Sequence, residues 1–306
     1  MAISPNLRSA LFMSLAMAAF TSNDAITKGL SHEYSAAQIM FVRGIFATVF
    51  VGLLAWQQGA LRGLRRALHP MVLVRTVCEL GATVLFLFAL AYMPLANISA
   101  VLQSLPLAVT MGAAMFLGEP VGWRRWLAIL VGFAGVAIVV RPGFEGFNVY
   151  SLAALLCVAF CAARDLATRR IPDDIPSLLV STTTAGFVTL FGLALVITLG
   201  GWTPLTLEAT AAMAGAAMFL IPATILLILS MRTGDISFVA PYRYTALLWA
   251  IVLGLIFYAE VPDALMLAGA LLIVGSGLYS IYRETRVGRR RPIAESVTPA
   301  MAPDGT

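Results

Sequence analysis

Charged residues are scarce in this sequence. Asp, Glu, Lys and Arg make up 11% of its 306 residues, whereas 60% of them are hydrophobic and the mean hydropathy is +0.91. Water-soluble domains commonly carry about a quarter of their residues as charged side chains. The shortage of charge therefore excludes a soluble domain and indicates an integral membrane protein, in which helices satisfy the backbone polar groups.

Residue types that usually carry catalysis or bind metals are also few. The two histidines, His32 and His69, lie in or beside predicted loops on opposite sides of the membrane, so neither can act as a base for Ser276. All three cysteines lie in apolar segments, which argues against a disulfide framework. Cys157 and Cys161 share a helical face, and we interpret them as small buried side chains rather than a soft-metal site. The sequence predicts no enzyme, no cofactor and no metal site.

Long apolar segments dominate the rest of the chain. A hydrocarbon core of about 30 Å is crossed by roughly 20 helical residues. Ten segments meet this length: 9–30, 36–56, 71–92, 96–117, 123–140, 149–168, 177–199, 207–230, 236–258 and 264–282. The predicted fold class is an all-α membrane protein with ten transmembrane helices.

The distribution of basic residues predicts the orientation. If both termini are cytoplasmic, fourteen arginines fall on the inside and only Lys28 and Arg141 fall outside. Cytoplasmic loops carry such an excess, so the sequence predicts a multi-pass protein of the bacterial inner membrane. The basic residues act as topology signals and contacts for membrane lipid, although the pI of 9.4 alone would also suit nucleic acid, which we exclude. Residues 284–306 are expected to form a disordered cytoplasmic tail.

The chain contains a weak internal repeat. The segment Asp24–Lys28 aligns with Asp165–Arg169, and Glu119 aligns with Glu260 at the same offset along the chain. The repeat predicts one five-helix unit over residues 1–141 and a second over 142–283. Because five is odd, the second unit is inverted relative to the first. Many secondary transporters have this architecture, with the substrate site at the midplane between the halves.

Several motifs then resemble a known family. Leu105-Pro106 runs on to a Glu at 119, and Ala240-Pro241-Tyr242 runs on to a Glu at 260, with glycine-rich spans following each. Over about residues 8–285 the chain resembles the ten-span EamA branch of the bacterial drug/metabolite transporter superfamily. This resemblance implies a small-metabolite permease, and no phosphate-binding glycine loop indicates ATP hydrolysis.

The cargo is suggested by one segment only. Residues 20–28 resemble the first span of bacterial riboflavin permeases, which implies riboflavin uptake as the specific function. Export of aromatic amino acids or other metabolites, and uptake of S-adenosylmethionine, remain alternatives. A membrane receptor or scaffold is an alternative of another class. The sequence leaves open the direction of transport, coupling to an ion or proton, and the choice between monomer and homodimer.

Ionisable side chains inside spans are costly, by about 2.5–3.5 kcal/mol each, and normally face a partner or an interior cavity. Asp24 and Arg43 lie at matching depth and could pair, and Arg75 and Glu79 share a helical face at spacing i,i+4. Structural ion pairs and a polar lining for a translocation path both remain open. The seven intramembrane ionisable residues are Asp24, Arg43, Arg75, Glu79, Arg164, Asp165 and Arg243.

Two prolines interrupt predicted spans. Pro106 and Pro241 each remove a backbone donor and kink the helix, and the freed carbonyl groups favour a cavity wall. A static kink is the alternative interpretation.

An aromatic group with an arginine follows the second proline. Tyr242, Arg243, Tyr244 and Trp249 could stack a planar ligand and bind its polar edge, with Gln103 opposite them in the other half. The two tyrosines are two residues apart and point in different directions, so we expect only one of them to contact substrate. Asp165 is the expected intramembrane partner of Arg243. The sequence therefore predicts a small, polar, partly planar substrate.

Overall fold

The computed structural model describes residues 5–119, 121–141, 149–172, 174–233 and 236–286. This part of the chain is helical and contains no β-strand. The helices are α1 Pro5–Leu30, α2 Ala36–Gln57, α3 Pro70–Tyr92, α4 Leu95–Leu102, α5 Leu105–Phe116, α6 Trp123–Val140, α7 Val149–Thr168, α8 Ser177–Leu199, α9 Leu207–Thr233, α10 Ile236–Val239, α11 Thr245–Tyr258 and α12 Ala264–Arg286. Two 3-10 helices, Ala60–Leu68 and Ala240–Tyr244, complete the fold.

The predicted all-α membrane class is confirmed. Nine helical segments within the described ranges are long and apolar enough to cross a membrane. Helix α1 is not one of them, because Asn23, Asp24 and their polar neighbours lower its hydropathy. Its 26 residues are nevertheless long enough to span the bilayer, since a helix rises about 1.5 Å per residue. Nearly all of the predicted tail lies outside the described residues.

Two spans are broken part-way along their length. The fourth predicted span consists of α4 and α5, which are separated at Gln103 and Ser104, with Pro106 in the first turn of α5. The ninth begins as α10, continues as the 3-10 helix that contains Pro241, and resumes as α11. A third proline, Pro222, lies inside the continuous helix α9. Proline near the start of a helix costs no hydrogen bond, which explains why α5 restarts there.

The helices pack in four main pairs, α1 with α9, α3 with α7, α2 with α8, and α6 with α12. In the α6–α12 pair the two helix backbones approach each other closely. The carbonyl oxygens of Gly135 and Gly269 each lie 2.7 Å from the position that a Cβ on the other glycine would occupy. Small residues at such crossings let two membrane helices approach closely. A continuous buried cluster of apolar side chains joins α3, α4, α6, α7, α11 and α12.

Candidate functional site

The two broken spans meet at a cavity of about 70 Å³. One wall comes from the α4–α5 break and the other from the 3-10 helix before α11. The structure therefore brings together four residues that the sequence predicted from different halves of the chain, namely Gln103, Pro106, Arg243 and Tyr244. The remaining lining residues are Leu102, Leu105, Ala240 and Ile281.

Tyr244 contributes a buried hydroxyl to this cavity. Its side chain is 7% exposed, and among the described residues its Oη has no hydrogen-bond partner. A buried hydroxyl without a partner is costly, and it is a group that a bound ligand can satisfy. The ring fits because residue 277 is glycine: a Cβ there would lie 1.8 Å from the Tyr244 Oη.

Arg243 lies half-buried beside Tyr244 and interacts electrostatically with Asp165 on α7. The direct partner of Asp165 is its neighbour Arg164, whose Nε donates to Oδ1 at 2.9 Å. Asp165 is 3% exposed, and within the described ranges its Oδ2 accepts no hydrogen bond. The expected Asp165–Arg243 pairing is observed as an electrostatic interaction, and the Oδ1 atom of Asp165 is bound by Arg164.

A polar cluster between α3, α7 and α8 borders this region. Arg164 Nη1 forms an ion pair with Glu79 Oε2 at 3.1 Å. Arg75 donates from Nε to Thr168 Oγ1 at 3.1 Å and from Nη1 to Thr184 Oγ1 at 2.7 Å. The i,i+4 spacing suggested that Arg75 would pair with Glu79. Instead the neighbouring helix supplies Arg164 to Glu79, and two hydroxyl groups satisfy Arg75.

A second polar cluster joins α1 to α2. Arg43 Nη1 donates to Asn23 Oδ1 at 3.3 Å and to Thr27 Oγ1 at 3.2 Å. The amide of Asn23 in turn donates to Asp24 Oδ1 at 2.9 Å. Asp24 and Arg43 interact electrostatically but are joined through Asn23 rather than by a direct ion pair. Sequence reasoning missed Asn23, although the polar run of residues 21–24 inside an apolar span was a usable signal.

Two residues of the predicted aromatic group, Tyr242 and Trp249, lie outside the cavity lining. Tyr242 packs against Phe238, with ring centroids 5.7 Å apart, in a cluster with α1 and α9. Trp249 donates from its indole nitrogen to the carbonyl oxygen of Ser14 at 3.2 Å. Both residues hold the ninth span against α1. Of the two tyrosines, Tyr244 is the one at the cavity.

No group of three metal-binding side chains occurs in the described part of the chain. The Cys157 thiol donates to the carbonyl oxygen of Ala82 at 3.4 Å and packs in the apolar cluster.

Comparison with known proteins finds a matching family and several relatives of this chain. The EamA-like transporter family matches residues 7–141. The riboflavin transporter of Vibrio cholerae is 28% identical over 93% of this chain and 96% of its own. The S-adenosylmethionine uptake transporter of Rickettsia bellii is 24% identical over 89% of this chain and 92% of its own. The family match and these relatives support an EamA-type permease of the drug/metabolite transporter superfamily.

Other relatives of the permease agree with its fold and class. The pseudopaline exporter of Pseudomonas aeruginosa is 29% identical over 85% of the permease and 91% of the exporter. A solved crystal structure shares the fold with a TM-score of 0.64 at 17% identity, covering 92% of the permease and 99% of that chain. The permease is a multi-pass bacterial membrane protein, and it transports a small metabolite.

Proposed function

We propose that the permease is a secondary transporter that works by alternating access between two inverted halves, residues 1–141 and 142–283, with both termini cytoplasmic. The family match over residues 7–141 supports the division, because it covers α1 to α6 and so one five-span unit. In such an arrangement two near-equivalent packings open the same central site to opposite sides of the membrane.

The helix contacts support the inversion. Replacing each helix by its counterpart in the other half turns α1 into α7 and α9 into α3. The α1–α9 pair therefore becomes the α7–α3 pair, and both pairs are major contacts. In the α2–α8 and α6–α12 pairs the two helices are counterparts of each other, so the same replacement leaves each pair unchanged. A two-fold axis between the halves requires such contacts.

The cavity lies where such an axis would place a shared site. The offset of the sequence repeat separates Gln103 from Tyr244 and also Leu102 from Arg243, and all four residues line the cavity. Its volume of about 70 Å³ is far below the several hundred Å³ of a typical metabolite pocket. A metabolite therefore enters only when the halves move apart.

We infer that the cargo is a polar metabolite with a planar portion and a carboxylate or carbonyl edge. The observation that carries this proposal is the cavity wall formed by Arg243 and by the Tyr244 hydroxyl, which lacks a hydrogen-bond partner among the described residues. A guanidinium binds such an edge through paired N–H donors. Riboflavin is the leading specific cargo, since the relative named as a riboflavin transporter aligns over 93% of the chain. S-adenosylmethionine, which also has a planar base and carries a carboxylate, is the second candidate, and export remains the alternative direction.

The test is transport by purified protein in liposomes. Labelled riboflavin, S-adenosylmethionine and tryptophan are followed in both directions, each with the unlabelled compounds as competitors. Riboflavin should accumulate and be competed by unlabelled riboflavin. Transport of another member of the panel would replace riboflavin, and no transport of any member would favour a receptor or scaffold.

The role of Arg243 is tested in the same liposomes. Arg243→Lys should weaken affinity about ten- to a hundred-fold, because Lys lacks the planar fork and one charged hydrogen bond is lost. The matched control is Trp249→Phe, which lies on the same broken span away from the cavity lining and should leave affinity unchanged. An unchanged affinity in Arg243→Lys would remove Arg243 from the binding site.

A further inference from the structure

An ion pair closes the predicted outer end of the bundle. Lys28, at the end of α1, contacts Glu260 Oε1 at 2.7 Å and donates to the carbonyl oxygen of Met93. Glu260 Oε2 accepts a hydrogen bond from the backbone amide of Leu95 at 2.7 Å. Tyr258 places its ring 5.5 Å from the Lys28 ammonium and donates to α1 at the carbonyl oxygen of Ala25. The pair thus ties the first half of the chain to the second at this end.

A second ion pair does the same at the opposite end. Arg169, just after α7, donates from Nη1 to Glu119 Oε1 at 2.9 Å, after α5. This pair also joins the two halves. Helix α7 runs 20 residues from the outer end to the inner end, so the two pairs lie about 30 Å apart along the membrane normal.

The two ion pairs use equivalent positions of the sequence repeat, with the roles of the two halves exchanged. Lys28 and Arg169 are separated by the offset of the sequence repeat, and so are Glu119 and Glu260. Each basic residue therefore pairs with the glutamate of the other half.

The same backbone turn presents each glutamate. Glu119 follows Gly118 at φ 66°, and Glu260 follows Ala259 at φ 52°. Each glutamate amide then donates to a carbonyl oxygen six residues back, that of Ala113 or Gly254. This left-handed helix end, which turns the chain sharply after the last helical residue, fixes both carboxylates at the rim of the bundle.

We propose that these pairs are the two latches of the transport cycle: an outer latch, Lys28–Glu260, and an inner latch, Arg169–Glu119. This inference rests on the proposed alternating access. Both latches are formed in this structure, which matches a central cavity of only about 70 Å³. Opening to one side breaks the latch at that side and keeps the other.

The partial exposure of the latches suits repeated breaking. Side-chain exposure is 24% and 28% for Arg169 and Glu119, and 5% and 20% for Lys28 and Glu260. Ion pairs near water cost little to separate, whereas fully buried pairs leave an expensive orphan charge. The outer latch is the drier of the two and has extra hydrogen bonds, so the outer end should be the harder end to open.

The test measures access to the cavity rather than transport, so it does not depend on the cargo. In a background with alanine at the three native cysteines, Gln103→Cys places a reporter thiol at the cavity. A membrane-impermeant maleimide is then added to right-side-out or inside-out vesicles. Lys28→Gln should speed labelling from outside about tenfold, because loss of a charged hydrogen bond shifts the equilibrium between closed and open states by about that factor. Glu119→Gln should speed labelling from inside instead.

Arg141→Gln is the matched control. Arg141 also joins the halves at the outer end, through an ion pair with Asp263, but it does so beside the closely packed α6–α12 seam. The Met266 amide and the Arg141 side chain lower the pKa of Asp263, so its carboxyl group is ionised at neutral pH. Its removal should leave labelling unchanged from either side.

Any other outcome contradicts the proposal that the two ion pairs act as latches. Faster labelling from the same side in both variants, a change in only one of them, or no change in either would contradict reciprocal gating even where the protein transports. If an orphaned Glu260 prevents insertion of Lys28→Gln, the double variant Lys28→Gln, Glu260→Gln removes both charges and answers the same question. Failure of every cargo in the liposome assay, with the opposite labelling shifts intact, would instead count against the cargo proposal alone.

Discussion

Thr48 Oγ1 and Thr189 Oγ1 hydrogen-bond to each other at 2.9 Å where α2 crosses α8, and they lie 141 residues apart in the chain. That separation equals the offset of the sequence repeat. A residue that touches its own counterpart lies on the axis that relates the two copies, as in an isologous contact between identical subunits. The contact supports a two-fold axis between the halves that passes through the α2–α8 crossing.

The inverted arrangement predicts opposite sides for two helix ends. A reporter fused after Leu199, at the end of α8, should lie outside, and one fused after Arg286, at the end of α12, should lie in the cytoplasm. Alkaline phosphatase and fluorescent-protein fusions measure this directly. A fusion after Gln57, at the end of α2, is the control and should match Arg286. If Leu199 and Arg286 report the same side, the ten-span topology is wrong.

Tyr244→Phe should separate binding from stability. Loss of the hydroxyl removes a ligand hydrogen bond and should weaken cargo affinity about two- to tenfold. It also removes a buried hydroxyl that has no partner among the described residues, so unfolding of the empty protein should cost about 1 kcal/mol more. Cargo affinity and the thermal midpoint in detergent are the two measurements. Tyr242→Phe, outside the cavity lining, is the control for affinity. Weaker binding together with lower stability would mean that the Tyr244 hydroxyl is structural.

Gly277→Ala should disturb the cavity through Tyr244. The new Cβ would lie 1.8 Å from Oη and 2.8 Å from Cζ of that ring, so the ring must move. Overpacking of this kind costs about 1–3 kcal/mol, and the displaced tyrosine should lower cargo affinity. Gly275→Ala is the matched control on the same helix, since beyond its chain neighbours and its own helix backbone no atom of the described residues lies within 4 Å of its Cβ position. Equal effects of the two substitutions on affinity would show that the contact with Tyr244 is irrelevant.

The α1–α2 cluster predicts a specific energetic coupling. In a double-mutant cycle on transport, Arg43→Gln and Asn23→Ala should be non-additive by about 1 kcal/mol, because the side chains hydrogen-bond directly. Arg43→Gln and Asp24→Asn should also be non-additive, through Asn23 and through their electrostatic interaction. Thr198→Ala, on the exposed end of α8, should add independently to Arg43→Gln. Additive effects for Arg43 with both α1 residues would mean that each acts alone.

Much of the fold was predictable because lipid imposes a minimum apolar length on every span. The predicted segment 36–56 became Ala36–Gln57, and 177–199 became Ser177–Leu199. The broken spans were also anticipated at Pro106 and Pro241, because proline cannot donate to the helix ladder.

The choice of partners was less predictable, because it depends on how each helix rotates against its neighbours. The i,i+4 rule places Arg75 and Glu79 on one face but does not say that α7 brings Arg164 to that face. Similarly, the 3-10 geometry before α11 directs Tyr244 to the cavity and Tyr242 to α1, which spacing alone left open.

The latch residues were overlooked for a different reason. Lys28 was counted as a topology signal, although it already belonged to the repeat that aligned it with Arg169. Charges at helix ends are usually solvated, so only the pairing across the two halves marks these as different.

The unequal exposure of the two latches gives the permease an intrinsic response to ionic strength. Mobile ions screen a pair that is about a quarter exposed far more than one whose ammonium is 5% exposed. Under the proposed latch mechanism, concentrated cytoplasmic salt should loosen the inner latch more than the outer latch and shift the resting protein toward the state open to the cytoplasm. In inside-out vesicles bathed in increasing salt, maleimide labelling of Gln103→Cys should become faster, whereas in right-side-out vesicles bathed in the same salt it should not change. A cell that adjusts its internal ion content would thereby change how long the carrier waits on each side.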